Sequence, residues 1–183
     1  MKKHHTVVIS NETTKLSPWV TLSSKHVMRG DNGETAVYHS LQQNDYVTML
    51  VVRTDGFIPI VKQYRPAVEQ ITFELPGGLL DRTATPESVA ISEIHEETGH
   101  KVIGKPHLLG CLYPDTGRLE NRFWTFYAEA SPDVANDWVP EAGVELLLVS
   151  RPELQTMICD GRFNHALHLG LIGLALTKGL FSW

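Results

Sequence analysis

The sequence predicts a mixed α/β (α+β) fold, an α/β/α sandwich on mixed sheets preceded by a small antiparallel β lobe. Three observations carry this expectation. Short strand-like runs fill residues 6–64, three later segments bear helix end signals, and strand-like runs return between those helices.

The early runs are Thr6–Ser10, Trp19–Ser23, Lys25–Met28, Glu34–Leu41, Tyr46–Thr54 and Phe57–Tyr64. Asp31-Asn32-Gly33 and Asp55-Gly56 separate neighbouring runs with residues that tolerate positive φ, as hairpin turns require. Residues 1–43 therefore form the antiparallel lobe and 44–183 the main domain. Thr85-Pro86 supplies an N-cap and a proline at the first helical position, and Gly99 a stop, predicting a helix over 86–98. Ser150-Arg151-Pro152-Glu153 is a capping box for a second helix that ends at Gly161. Asn164 is the candidate cap of a third, running to Lys178 and apolar nearly all round, hence buried. Strands return at Pro106–Tyr113, Arg122–Ala128 and Val144–Val149.

Composition bounds the function. With 183 residues, 42% hydrophobic and 20% charged, the chain suits a soluble globular domain. A net charge of −5 without any basic run argues against nucleic acid or an anionic membrane as partner. Cys111 and Cys159 lie far apart, which suggests neither a disulfide framework nor a zinc site. Met1–His5 carries no apolar signal region, and the apolar stretch Ala166–Leu176 is too short for a bilayer, so a cytoplasmic protein is expected.

The chemistry lies on the first helix. At ~100° per residue, Glu93, Glu96 and Glu97 share one arc, while Ala90, Ile91, Ile94 and Thr98 can face a core. A solvated acidic face is the ordinary explanation of such a cluster. Here the carboxylates repel one another, no Lys or Arg in the helix offsets them, and the last-turn dipole disfavours anions. A bound divalent cation reverses all three effects. Carboxylates are hard oxygen donors, which points to Mg²⁺, with Mn²⁺ as a substitute. Just before the helix, Gly77-Gly78 allows close backbone approach to a ligand or metal.

The segment Gly78-x5-Ala84-x7-Ser92-Glu93-Ile94-His95-Glu96-Glu97-Thr98-Gly99 resembles the Nudix box, G-x5-E-x7-R-E-U-x-E-E-x-G-U, where U is bulky and apolar. The resemblance implies a Nudix-type fold and a metal held by Glu93, Glu96, Glu97 and the Gly77 carbonyl. Ala84, Ser92 and His100 depart from the pattern, replacing its first Glu, its Arg and its last apolar residue. In the family that Glu and Arg brace the loop against the helix. Losing both strands no charge, so the double change reads as removal of a brace and not of the metal site.

Gln63-Tyr64-Arg65-Pro66 and Phe73–Gly78 are similar to the segment before the box in the ADP-ribose pyrophosphatase group. That likeness implies a nucleoside diphosphate sugar as substrate, Arg65 on a phosphate, and Glu74 near the metal or its water. Tyr113–Arg122 resembles the group's Pro-Gly loop, with Gly117 and Glu120 in register and Asp115-Thr116 inserted. It implies Glu120 and Arg118 near the diphosphate. Arg118 and Arg122 are otherwise candidate partners of Glu120. In the loop Asp137–Glu145, Glu141 is the candidate general base and Glu145 the alternate, with Glu97 and Glu93 as further catalytic carboxylates. His165 and His168 are expected as core histidines bonded to a carbonyl, and Trp19 as core or dimer contact. The group's amino-terminal strands commonly reach a partner, which implies a homodimer. A catalytically weak Nudix-fold nucleotide-sugar-binding module, or a hydrolase of another nucleoside diphosphate derivative, are the competing readings.

Overall fold

A computed structural model describes residues 6–30, 33–80 and 83–183. They divide into two units. The first comprises the described residues up to Asp45 together with Tyr113–Arg122, and the second comprises 46–112 and 123–183.

The first unit is an antiparallel meander of β1 (Thr6–Lys15), β2 (Thr21–Arg29) and β3 (Thr35–Gln42). The expected strands Trp19–Ser23 and Lys25–Met28 are one. β2 pairs with β1 on one edge and β3 on the other, and this double pairing carries it through Ser23-Ser24 without a break. Trp19 is 69% exposed, so it is not core. The stretch Tyr113–Arg122 joins this unit through backbone bonds of Leu41 to Arg118 and Glu120.

The second unit is built around β4 (Tyr46–Arg53), whose alternate residues face opposite layers. Val47, Met49 and Val51 pack with Val89, Ala90 and Ile94 of α1 (Pro86–Thr98). Leu50 and Val52 pack with Leu154 and Met157 of α2 (Arg151–Cys159) and with Leu171 and Ala175 of α3 (Ala166–Thr177). A strand buried on both faces reads as a continuous apolar run, as Val47–Val52 does except for Thr48. β4 runs parallel to β9 (Phe123–Val134) and antiparallel to β7 (Gly77–Leu79), and β8 (His100–Leu112) completes a four-stranded mixed sheet. β5 (Ile58–Arg65), β6 (Gln70–Glu74) and β10 (Val144–Val149) form a second, antiparallel sheet in the order β10-β5-β6.

The ends of α1 agree with the sequence signals: Thr85 accepts from the Ser88 amide at 3.2 Å, and Gly99 stands at φ 69°. α3 departs from expectation twice. Its cap position is His165, without a side-chain cap bond, rather than Asn164. Only one side is buried, because Gly170 and Gly173 face solvent. No helix among the described residues is long and apolar enough to cross a membrane.

Candidate active site

Packing of α1 on the sheet decides which box carboxylates lie where. Ile94 is fully buried, and so is Thr98 one turn on; Ile91 turns outward at 37% exposure. Of the three glutamates, Glu97 is buried at 9% exposure, Glu93 is half-buried and Glu96 is exposed. The Gly77 amide donates to the Glu97 carboxylate at 2.9 Å.

The two glycines are required by close approach. β7 pairs Gly77 with Thr48 and Gly78 with Val47. A Cβ on Gly77 would lie 2.3 Å from the Val47 carbonyl oxygen, and one on Gly78 would lie 2.6 Å from the Glu93 carboxyl carbon. Gly77 therefore lets β7 seat on β4, and Gly78 makes room for the Glu93 carboxylate. Neither glycine has positive φ.

Charge crowds here. Burial pushes the Glu97 carboxyl up to about 7; the Gly77 N–H and Arg65 oppose the rise, while Glu93 and Glu141 add to it. Arg65, Glu93 and Glu141 thus all act on Glu97. Glu145, the alternate candidate for the base, is held at 2.8 Å by Lys62, its register partner across β5 and β10.

Arg65 and Glu74 lie on one face of the β5–β6 hairpin, where alternation brings them together with Thr72. Arg65 grips Glu74 with Nε and Nη2 at 2.8 and 2.7 Å, and the Thr72 hydroxyl adds a third bond at 2.7 Å. Burial alone would raise the Glu74 carboxyl, but these bonds hold it at about 2. Glu74 is 4% exposed, whereas the Arg65 side chain is 47% exposed and keeps N–H groups to offer a ligand.

Beneath this pair lie two histidines. His168 Nδ1 accepts from the Leu75 amide at 3.0 Å, and its ring stacks on His165 at 3.9 Å. His168 is core, as expected, but its partner is an N–H and not a carbonyl. Burial first, and His165 second, push it down to about 3, so the ring is neutral and accepts at Nδ1. Donor atoms of Glu74, His165 and His168 lie within 4.8 Å of one another, yet this is a poor cation site. The Glu74 oxygens and the His168 Nδ1 lone pair already accept hydrogen bonds.

A family description, NUDIX domain, matches residues 43–160. The chain belongs to the Nudix hydrolase family. It is similar to the ADP-ribose pyrophosphatase of Bacillus subtilis (strain 168), 35% identical over 98 residues, or 54% of this chain and 52% of that protein. The chain therefore spans about half the length of that relative. It is also similar to the ADP-sugar pyrophosphatase of Mus musculus, 40% identical over 42 residues, 23% of this chain and 19% of that one. A crystal structure of an ADP compounds hydrolase superposes with a TM-score of 0.78 at 18% identity over 98% of both chains, a likeness of fold.

Nudix proteins generally use divalent metal ions, and the donors here suit one. Glu93, Glu96, Glu97 and the Gly77 carbonyl all offer oxygens, and the burial and the repulsion from Glu93 and Glu141 that push Glu97 up to about 7 are what a cation offsets. His100, in place of the box's last apolar residue, is fully buried. Its Nδ1 lies 3.3 Å from the Asp133 carbonyl, and burial pushes its pKa down, so a neutral ring fills the apolar position.

Glu120 and Arg118 belong to the first unit. The Glu120 carboxylate accepts from Lys25 and Ser40, which hold it at about 2 against burial; its partner is Lys25 and neither Arg118 nor Arg122. Asp115, half of the insertion, accepts from the Gly117 and Arg118 amides at 2.7 and 3.1 Å and so builds the turn. Sequence reasoning passed over Lys25, Thr72 and Trp138, since nothing local marks a partner fixed by tertiary pairing.

Proposed function

We propose that this chain is a Mg²⁺-dependent hydrolase of ADP-ribose or a related nucleoside diphosphate sugar, releasing a nucleoside monophosphate and a sugar phosphate. The observation that carries this reading is the buried Glu97 carboxylate, bonded to the Gly77 amide and pushed up to about 7 by burial, with Glu93 and Glu141 adding to the rise and Arg65 opposing it. Glu93, Glu96, Glu97 and the Gly77 carbonyl would hold Mg²⁺, which supplies positive charge to offset the phosphate oxygens. Arg65, pinned by Glu74, presents its remaining N–H groups to a phosphate, so the substrate meets an already ordered fork. Glu141 takes a proton from water as the water oxygen forms a bond to one phosphorus. The phosphoanhydride P–O bond breaks, and its oxygen leaves on the other phosphate.

The names of the Bacillus subtilis and mouse relatives support the sugar nucleotide. A homodimer is part of the proposal: Val7, Val8, Ile9 and Trp19 of the first unit are each more than half exposed, apolar side chains that a second copy would cover. Ala84 and Ser92 favour the other reading, a sugar-nucleotide-binding module. Comparing AMP release from ADP-ribose with the products of UDP- and GDP-sugars in Mg²⁺ separates the two. Binding of ADP-ribose without turnover would support the module.

A further inference from the structure

The loop of residues 135–143 is exposed along nearly its whole length, with Val139 at 79%. Ala135 is half-buried, and so is Trp138. Its ring lies against Gly99, where a Cβ would meet Cγ and Cδ2 of the indole at 2.7 Å. Its Nε1 donates to the Glu96 carbonyl at 2.8 Å, one of the last-turn carbonyls of α1 that no helical amide can satisfy. The Ala135 amide donates to the Gly99 carbonyl at 3.0 Å, and the Trp138 amide to the Ala135 carbonyl at 3.0 Å. This part of the loop is therefore bonded to the C-terminal end of the box helix. Glu141 follows three residues on, past Pro140, whose ring fixes φ between anchor and carboxylate. On the far side, the Val144 amide donates to the Glu141 carbonyl at 3.1 Å as β10 begins.

We infer that Trp138 is a positioning residue: its indole fastens the loop to the end of α1 and thereby holds Glu141 in range of the Glu93–Glu97 site. The inference rests on the reading of Glu141 as the group that takes the proton. The box glycine Gly99 then has two tasks, ending the helix at positive φ and leaving room for the indole.

The test uses the full chain with Mg²⁺ and ADP-ribose. Trp138→Ala removes ring and donor, while Trp138→Phe keeps the ring and loses only the N–H. Expected are a kcat loss of about tenfold for Trp138→Ala and about threefold for Trp138→Phe, with KM and the Mg²⁺ activation constant within about twofold of wild type. In a Glu141→Gln background, Trp138→Ala should add less than about twofold, since the group it positions is gone. Hydrogen exchange at the Val144 amide, which needs no substrate, should speed up in Trp138→Ala while α1 amides before Ile94 keep their rates. Losses that multiply independently of Glu141, or a loss confined to the Mg²⁺ constant, overturn the inference and leave the hydrolase reading intact. Wild-type kcat in Glu141→Gln overturns both the role of Glu141 and that of Trp138.

Discussion

The Gly77 amide and the Glu97 carboxylate meet at 2.9 Å across 20 positions of sequence, tying the strand before the box to the helix that ends it. That bond is a neutral donor to a carboxylate that burial, with Glu93 and Glu141 adding to it, pushes up. Most of what the site is expected to do under perturbation follows from this imbalance.

The metal-free protein should lose a stabilising contribution as pH rises. Glu97 has a folded pKa raised to about 7 from 4.5, so its contribution is full below 4.5 and gone above about 7. His168, lowered to about 3 from 6.5, works in the opposite direction over part of that window. The comparison is therefore with Glu97→Gln at each pH, where His168 cancels. Melting curves in EDTA should show the variant gaining on wild type between pH 5 and 8, in steps of roughly 1 kcal/mol per pH unit at most. An equal gap at both ends contradicts the assignment.

Glu97→Gln separates stability from chemistry. The amide oxygen can still accept from Gly77, while the repulsion with Glu93 and Glu141 disappears. The metal-free melting temperature at pH 8 should hold or rise, and kcat should fall by orders of magnitude, on the order of 10²-fold or more. A variant that is both less stable and fully active would contradict this pairing of effects.

Gly77 and Gly78 should fail differently. An added methyl at Gly77 meets backbone, the Val47 carbonyl, which cannot move aside, so Gly77→Ala should lower the melting temperature sharply. At Gly78 the methyl meets the end of the flexible Glu93 side chain, so Gly78→Ala should keep most stability and weaken Mg²⁺ activation instead. Measuring both quantities for both variants checks the contrast; identical profiles defeat it.

Arg65→Lys loses the two-pronged hold on Glu74 and the planar face offered to phosphate, so KM for ADP-ribose should rise by about tenfold or more. Arg65→Ala leaves the 4%-exposed Glu74 carboxylate without its guanidinium. Solvent reaches the exposed half of Arg65 and screens the pair, which limits the stability cost to about 1–2 kcal/mol. Urea unfolding of the two variants gives the number.

The sequence was legible where the signal is local. α1 could be bounded because Thr85, Pro86 and Gly99 each act within one turn, and β10 because Val144–Val149 is a short apolar run between polar neighbours. β7 was not readable as a strand, and of β6 only a strand-like run ending at Glu74 was. Gln70–Glu74 follows a turn with Glu69 at φ 55°, and Gly77–Leu79 has the composition of a loop. Both are strands because β5 and β4 pair with them, a tertiary effect that overrides propensity. The glutamate arc was visible from helical spacing, but not that burial would single out Glu97. The Arg65–Glu74 bond is hidden too, because only the pairing of β5 with β6 brings them together.

We propose that the buried Glu97 serves a metal-dependent cleavage of a diphosphate. Its most direct test is AMP release from ADP-ribose by wild type and Glu97→Gln, each with millimolar Mg²⁺ and with EDTA. Turnover by wild type is expected in Mg²⁺ alone, with Glu97→Gln down by about 10²-fold or more and EDTA abolishing it. Full wild-type turnover in EDTA, or undiminished turnover by Glu97→Gln, would contradict it.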